Sequence, residues 1–229
     1  MKLRPSKLIF VAGTDTDVGK TWTICQLASS LIRKGYKVSA KKPVQSFTPS
    51  EFDQGVTDAH LLAESTGESI DSICSITRMY GMPLAPPIAA LRLGLPSFTV
   101  ADLVTEIAWD AGVDFGILES AGGICSPIAI DGDVRDLISL VLPDILVLVV
   151  DSCLGAIHRT ISALDSLKYA HQDEFSSYRS VIFLNRFKES LDLHRENLEW
   201  LTRNLDLPVF TDTVQLGSFL CGESDRFGN

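Results

Sequence analysis

The segment Gly13-Thr14-Asp15-Thr16-Asp17-Val18-Gly19-Lys20-Thr21 constrains this chain more than any other, because of what flanks it. Before it runs a short apolar stretch, Lys7–Ala12, that reads as a β-strand. After it, Lys20–Lys34 carries a helical hydrophobic period and stops at Gly35, a residue suited to the left-handed turn beyond a helix end. A strand, a glycine turn and a helix start together make a cradle for phosphate. The first N–H groups of a helix lack partners and lie at the positive end of its dipole. Gly19 admits the backbone conformation that lets several N–H groups converge. Lys20 can reach the β- and γ-phosphates of a nucleotide, and the Thr21 hydroxyl can ligate Mg²⁺. The usual loop of this kind has four residues between its first glycine and Gly-Lys-Ser/Thr. Here five separate Gly13 from Gly19, and Thr14 stands at the standard position. A chance Gly-Lys-Thr is the competing explanation; the strand before it and the helix after it favour nucleotide binding.

The rest of the chain repeats the alternation. Strand-like runs fall at Tyr36–Ala40, Phe115–Leu118, Asp144–Val150, Val181–Leu184 and Pro208–Phe210. Between them, Val100, Leu103, Val104, Ile107, Ala108 and Ala111 share one helical face. Ile157, Ile161, Leu164 and Leu167 mark another helix, and a further one lies near Leu191–Arg203. Continuous apolar strands fit a mostly parallel sheet covered on both faces. The reading is an α/β fold, a doubly wound sheet with helices on both sides and ligands at the carboxyl ends of its strands. Its 229 residues suit a single domain, 1–229. Phe47–Gly55 and Gly81–Pro87 read as loops and as candidates for contact with a substrate.

Composition closes off several classes. Hydrophobic residues at 45% and charged residues at 21% allow a buried core, which excludes wholesale disorder. Twenty Lys and Arg against 29 Asp and Glu give a net charge of −9 without a basic run, which argues against non-specific nucleic-acid binding and against an anionic membrane surface. The richest apolar run, Ile145–Val150, falls well short of the roughly 20 residues a membrane helix needs. Basic Met1–Pro5 leads into a strand and a motif, not into a secretory signal. Cys25, Cys74, Cys125, Cys153 and Cys221 form no CxxC pair and are odd in number, which suits a reducing cytoplasm. Cys125 and Cys153 read as buried structural thiols.

Phosphoryl transfer needs more positive charge and a placed acceptor. Lys41-Lys42-Pro43-Val44-Gln45-Ser46 follows the second strand, and Pro43 disfavours a helical Lys42, which suits a fixed cation. A solvated lysine pair is the alternative. Asp58 stands where a helix could begin, a place where a carboxylate also complements the helix dipole. Glu119 opens Glu119-Ser120-Ala121-Gly122-Gly123 after an apolar strand; a carboxylate there beside small residues suits a metal or nucleotide site, and an exposed turn is the other reading. Trp22 reads as packing rather than stacking, and His60, His171 and His194 read as surface residues.

Taken in order, these segments resemble the dethiobiotin synthetases, ATP-dependent ring-closing enzymes of biotin synthesis with a P-loop NTPase fold. GTDTDVGKT (13–21) resembles the family's phosphate loop, extra residue included. KPVQS (42–46), TDA (57–59), MPLAP (82–86), ESAGG (119–123), LGAIH (154–158) and LNRF (184–187) resemble its later motifs, in family order. The resemblance implies a C–N-forming ligase acting on 7,8-diaminononanoate, CO₂ and ATP through a carbamate and a carbamic–phosphoric anhydride. It implies Lys20 and Lys42 as the catalytic clamp on an anion attacking an anion, with Thr21, Asp58 and Glu119 as Mg²⁺ ligands. Asp17, Val18, Gly19, Trp22, Ser120, Ala121, Gly122, Asn185 and Arg186 complete the implied ATP site, with Thr213 and Val214 near the base. Ser46 would meet the carbamate or an amine. The substrate carboxylate would meet N–H groups of Gly155, Ala156, Ile157 and His158, a turn the family supplies from a partner subunit, so a homodimer is implied. His158 is then a neighbour of that carboxylate or simply a helix-start residue. The chain departs from the family at Phe47 and Ser120, each in place of Gly, at Pro87 for His, at Ile157 for Asn and at Val214 for Pro.

Three other readings compete. A ParA/MinD-like ATPase switch carries a signature lysine where this loop has Asp15. A cobyrinate-type amidoligase usually carries a glutaminase domain, for which the 229 residues leave no room. A relative that keeps nucleotide but has lost ring closure would fit Phe47 and Ile157.

Overall fold

The computed structural model describes residues 3–170 and 178–223. The chain begins β1 (Lys7–Gly13), α1 (Lys20–Arg33), β2 (Val38–Lys41), β3 (Gln45–Ser46), α2 (Pro49–Asp53) and α3 (Asp58–Thr66). It continues through α4 (Ile70–Ile73), β4 (Met79–Tyr80), α5 (Pro86–Arg92), α6 (Val100–Glu106), β5 (Phe115–Gly123), β6 (Pro127–Ala129), β7 (Gly132–Asp133) and α7 (Val134–Val141). The last part is β8 (Ile145–Asp151), α8 (Ala156–Ala170), β9 (Arg179–Asn185), α9 (Asp192–Asn204), β10 (Val209–Phe210) and α10 (Thr213–Leu220).

Six parallel strands form the central sheet in the order β10-β9-β8-β1-β5-β2. The chain leaves β1 toward one edge and later returns to build the other, so the strand order reverses at β1, where open α/β sheets bind ligands. Strand alternation divides the core. Phe10, Ala12, Leu146, Leu148 and Leu184 face one buried cluster with Leu103, Leu137 and Leu164. Ile9, Val11, Val147, Val149 and Phe183 face the other with Leu27, Leu62 and Leu216. A strand buried on both faces has no polar side to show, which is why these strands read as unbroken apolar runs. This is the doubly wound fold expected from the sequence.

The boundaries differ in instructive ways. β5 runs through Gly123, so Glu119 lies inside a strand and not after it. Lys41 belongs to β2, which starts at Val38. The helix expected over 100–111 stops at Glu106: Ile107 takes extended backbone, and the chain turns to lay Trp109 beside Gly116. Phe47–Gly55 is not all loop. Thr48 and Glu51 form a capping box around Pro49 and start α2. Pro86 likewise opens α5 inside the second expected loop. Asp133 caps α7 and Asp212 caps α10, two helices not anticipated.

Four side chains change character. Cys125 and Cys153 are exposed, not buried; Cys74 is the buried thiol, and burial pushes it up to about 12. His194 is buried, its Nδ1 accepting from the Lys188 N–H at 2.9 Å, and is no surface residue. Trp22 is exposed and packs into no core. His171 lies outside the described residues. Among those described, no helix is long and apolar enough to cross a membrane.

Gly116, near the start of β5, shows how closely that end of the sheet is covered. A Cβ there would come within 2.3 Å of Pro5 Cγ and 2.9 Å of Trp109 Cζ3. Gly116→Ala is expected to cost about 1–3 kcal/mol by overpacking. That lowers Tm by roughly 2–4 °C per kcal/mol in a chain of this size, measured by calorimetry; an unchanged Tm would show that the Pro5–Trp109 cover gives way freely.

Candidate active site

The phosphate loop leaves β1 at Gly13 and enters α1 at Lys20. Gly19, the residue before the helix, has φ +92°, and a Cβ there would fall 2.0 Å from Asn185 Nδ2. Only glycine fits both constraints. Asn185 ends β9 and donates from Nδ2 to the Val18 carbonyl at 2.9 Å. The next residue, Arg186, donates from Nη2 to the Asp17 carbonyl at 2.8 Å and pairs with Asp151 at the end of β8. Asp17 and Arg186 both sit in the left-handed region, at φ 58° and 57°. Such conformations cost about 1–3 kcal/mol each and persist where surrounding contacts fix them. The loop is therefore tied down by the neighbouring strand ends, not only by its own turns.

Strand register assembles the charged centre. Val11 of β1 is opposite Glu119 of β5, and Leu118 is opposite Lys41 of β2. The residue after β2, Lys42, therefore arrives beside Glu119. Its Nζ lies 2.6 Å from Glu119 Oε1, 2.6 Å from Asp58 Oδ2 and 3.2 Å from the Ser120 carbonyl oxygen. Lys42 is 2% exposed and Glu119 1%, so the pair is cut off from water. Thr21 Oγ1 meets Asp58 Oδ1 at 2.7 Å and Glu119 Oε1 at 2.8 Å. Lys41 goes elsewhere, to Glu68 at 2.9 Å, and neither lysine is solvated.

Charge and burial compete here. Burial of Lys42 works against its charge, but Asp58 and Glu119 outweigh it and hold the ammonium above the ordinary lysine value. Burial likewise opposes ionised Asp58, and Lys42 overcomes it, leaving that carboxyl below the usual range. For Glu119 burial wins, with Asp58 adding to it, and the carboxyl is pushed up. Lys20 is pushed down, first by burial and then by Lys42. Lys20 Nζ rests 3.2 Å from the Asp15 carbonyl oxygen within its own loop.

Asp58 reaches this centre because Gln45 holds the start of α3. Gln45 Oε1 accepts from the Ala59 N–H at 3.1 Å, in a buried position. Gln45 was not singled out from the sequence, where nothing sets it apart from its polar neighbours Lys42 and Ser46.

A cavity of about 740 Å³ opens over the loop. It brings together Asp17, Gly19, Lys20, Thr21, Lys42, Ser46, Asp58, Glu119, Ala121, Gly122 and Arg186 from the expected set. Phe47, Glu51, Val56 and Pro83–Pro86 wall its far side; all but Val56 fall in the two stretches expected to meet a substrate. A second cavity of about 390 Å³ shares Gly19 and Arg186 and adds Trp22, Asn185, Phe187 and Thr211–Thr213. Val18 and Ser120 line neither; Val18 is buried in the core and Ser120 offers its carbonyl to Lys42. Val214 is exposed on the first turn of α10, one residue beyond that lining. Gly155, Ala156, Ile157 and His158, at the turn into α8, also line neither cavity of this chain.

Thr21, Asp58 and Glu119 converge as one hydroxyl and two carboxylates, and Glu119 Oε2 is buried with no hydrogen-bond partner. Hard oxygen donors with an unused carboxylate oxygen suit Mg²⁺. Among the described residues no three His, Cys, Asp or Glu side chains gather, so a softer or all-protein metal cage is not on offer.

Residues 7–211 match a family model described as an AAA domain. The ATP-dependent dethiobiotin synthetase of Phenylobacterium zucineum is 40% identical over 170 residues, 69% of either chain. That of Caulobacter vibrioides is 38% identical over 167 residues, 71% of this chain and 74% of its own. Among solved structures, cobyrinic acid a,c-diamide synthase from Mycobacterium smegmatis with bound ATP analog and magnesium superposes with TM-score 0.57 over 94% of this chain and 93% of that one, at 12% identity. A chain of the MinC:MinD cell division protein complex of Aquifex aeolicus gives TM-score 0.52 over 95% and 86%, at 14% identity. Identities so low speak to the fold alone, that of the P-loop NTPases. The sequence relatives speak to more: this chain belongs to the dethiobiotin synthetase family.

Proposed function

We propose that the chain is an Mg²⁺-dependent dethiobiotin synthetase that converts 7,8-diaminononanoate, CO₂ and ATP to dethiobiotin, ADP and phosphate. One observation carries the reading: the buried Lys42–Asp58–Glu119–Thr21 centre beside the phosphate loop opens into the same cavity that runs past Ser46 and Phe47. A nucleotide switch needs the loop; it has no use for a second roomy compartment beside a fixed cation.

In this reading one amine of the substrate takes up CO₂ and loses a proton, giving a carbamate. A carbamate oxygen attacks the γ-phosphorus and ADP leaves. The second amine attacks the carbonyl carbon of the resulting anhydride, phosphate departs and the ureido ring closes. The difficulty is bringing one anion against another. Lys20 and Lys42 line the meeting place, and Lys42 is held protonated by its two carboxylates, so the clamp is charged before substrate arrives. Thr21, Asp58 and Glu119 would hold Mg²⁺, which when bound neutralises charge on the phosphates. Ser46 Oγ, buried with no hydrogen-bond partner, would take the carbamate or an amine. Asp17, Gly19, Ala121 and Gly122 would surround the phosphates; Asn185, Arg186, Thr213 and Val214 would lie toward the base. The turn Gly155–His158 would serve the substrate carboxylate of a neighbouring subunit, which makes the enzyme a homodimer. We assign it one domain, residues 1–229, and the cytoplasm.

ATP turnover is expected only when the diamine and bicarbonate are both supplied; turnover indifferent to either refutes the assignment. Lys42→Met separates chemistry from folding. It should keep Mg-ATP binding within a few-fold while turnover falls by about 10²–10³. It should also cost about 3–5 kcal/mol of stability in urea unfolding, because Glu119 loses its buried partner. Adding Glu119→Gln should return the stability and not the turnover; joint recovery of both would place Lys42 in a purely structural role. Asp58→Ala and Glu119→Ala should each shift half-saturation by Mg²⁺ upward in a turnover titration, and an unmoved curve removes that residue from the ligand set.

A further inference from the structure

Among the polar side chains that line the larger cavity, Ser126 has no role in the reaction as described. It stands three residues after Gly123, the last residue of β5. Its place is closely built. At Gly122, where φ is +71°, a Cβ would fall 2.4 Å from Ser126 Oγ and 2.7 Å from its Cβ, so the serine side chain lies directly against the Gly122 backbone. Gly122 lines the same cavity. The Gly123 N–H donates to Ser126 Oγ at 2.9 Å, and the Ser126 N–H donates to the Gly123 carbonyl at 2.9 Å.

This turn presses on the phosphate loop. Gly123 is opposite Gly13 in register, and a Cβ on Gly123 would fall 3.1 Å from the Thr14 carbonyl oxygen and 3.3 Å from Asp15 Cα. The Ile124 N–H donates to the Gly13 carbonyl at 3.1 Å. Lys20 Nζ rests 3.2 Å from the Asp15 carbonyl oxygen. Lys20 thus meets Asp15 directly and Ser126 reaches it through Gly123, and both line the cavity over the loop.

A serine hydroxyl has one proton to give and two lone pairs. The Gly123 N–H occupies a lone pair and fixes the oxygen, while no acceptor for the proton is found among the described residues. Thr21, by contrast, already meets Asp58 and Glu119 through its hydroxyl.

From this we infer that Ser126 Oγ donates a hydrogen bond to the phosphoryl group held over the loop, as a further catalytic residue of the proposed reaction. The inference rests on that reading and adds to it a neutral donor, fixed before substrate arrives. A phosphoryl group passing between two anions spreads negative charge over its outer oxygens, and a donor already aimed there costs no reorganisation. Ser126 keeps its proton throughout; the phosphoryl group leaves ADP for the carbamate oxygen as before.

The test compares wild type, Ser126→Ala and Ser126→Thr. With diamine, bicarbonate and Mg-ATP, kcat should fall about 10- to 150-fold in Ser126→Ala, the worth of a hydrogen bond to a charged group. KM for ATP should stay within a few-fold, and Ser126→Thr should recover most of the loss. Calorimetric titration gives a second readout. Mg-ADP alone should bind all three proteins alike, while Mg-ADP with aluminium fluoride, a planar stand-in for the phosphoryl group in transfer, should bind Ser126→Ala more weakly by a similar factor. A purely structural turn would weaken both complexes together; that result overturns the inference, as does an unchanged kcat in Ser126→Ala. If wild type shows no turnover dependent on the diamine, the synthetase reading falls and the titrations alone decide the role of Ser126. A loss confined to the fluoride complex then upholds it, and equal binding overturns it.

Discussion

A lysine ammonium shut away from water must be neutralised or it will not stay charged, and Lys42 is neutralised twice. Asp58 and Glu119 come from elements far apart in sequence, α3 and β5, and both reach one nitrogen. Thr21, on the first turn of α1, bridges the same two carboxylates. Four elements thus meet through one set of short contacts. None can shift without exposing or orphaning a charge in the others. The same contacts place two carboxylates and a hydroxyl where a divalent ion would sit and a cation where developing negative charge would need it. Structural integrity and chemical readiness are here one arrangement.

The sheet makes that arrangement possible. β1 is central and its neighbours are β5 and β8, so the ends of three strands open at the point where the chain changes direction. Parallel register fixes which residues arrive together: Glu119 beside Val11, Lys41 beside Leu118, Asp151 beside Asn185. Asn185 and Arg186 then reach across from β9 to hold the Val18 and Asp17 carbonyls. The strained residues Asp17 and Arg186 lie at this junction, consistent with strain being tolerated where rigid neighbours impose it.

Much of this was legible in the residues. The phosphate loop announced itself through the strand and helix around it, and the apolar strands gave the doubly wound sheet. Lys42, Asp58 and Glu119 could be chosen as candidates, but their meeting could not be read, because register is a property of paired strands and not of one. Adjacent Lys41 and Lys42 look alike in sequence and find different partners. Helical period overran at Ile107–Ala111 because it cannot see that Trp109 is needed against Gly116. α7 carries the helical period, with Val134, Leu137 and Ile138 buried on one face, and the capping aspartates Asp133 and Asp212 were further visible signals of α7 and α10. Trp22 was read as packing for a related reason: a large apolar side chain on a helix is ordinarily core, and only the fold shows that this one is exposed.

The division between fixed and adjustable parts follows from where each sits. Thr21 and Asp58 stand on the first turns of packed helices, Glu119 inside β5 and Lys42 directly after β2, where position is set by the sheet. Phe47 lies past a two-residue strand, stacked on Phe52 at 5.4 Å, with Phe52 against His60 at 5.4 Å. Of these three only Phe47 lines the larger cavity, just before the short capped helix α2 and outside the central sheet. The turn at Gly155–His158 and the start of α10 likewise lie outside the larger cavity. The positions at which the resemblance implied departures, Phe47, Ile157 and Val214, fall on segments outside the charged centre. The Phe47 ring thus lines the cavity without hydrogen-bonding or ion-pairing to the charged centre. Selectivity can drift on such segments at little cost, since their packing involves few of the contacts that hold Lys42 in place.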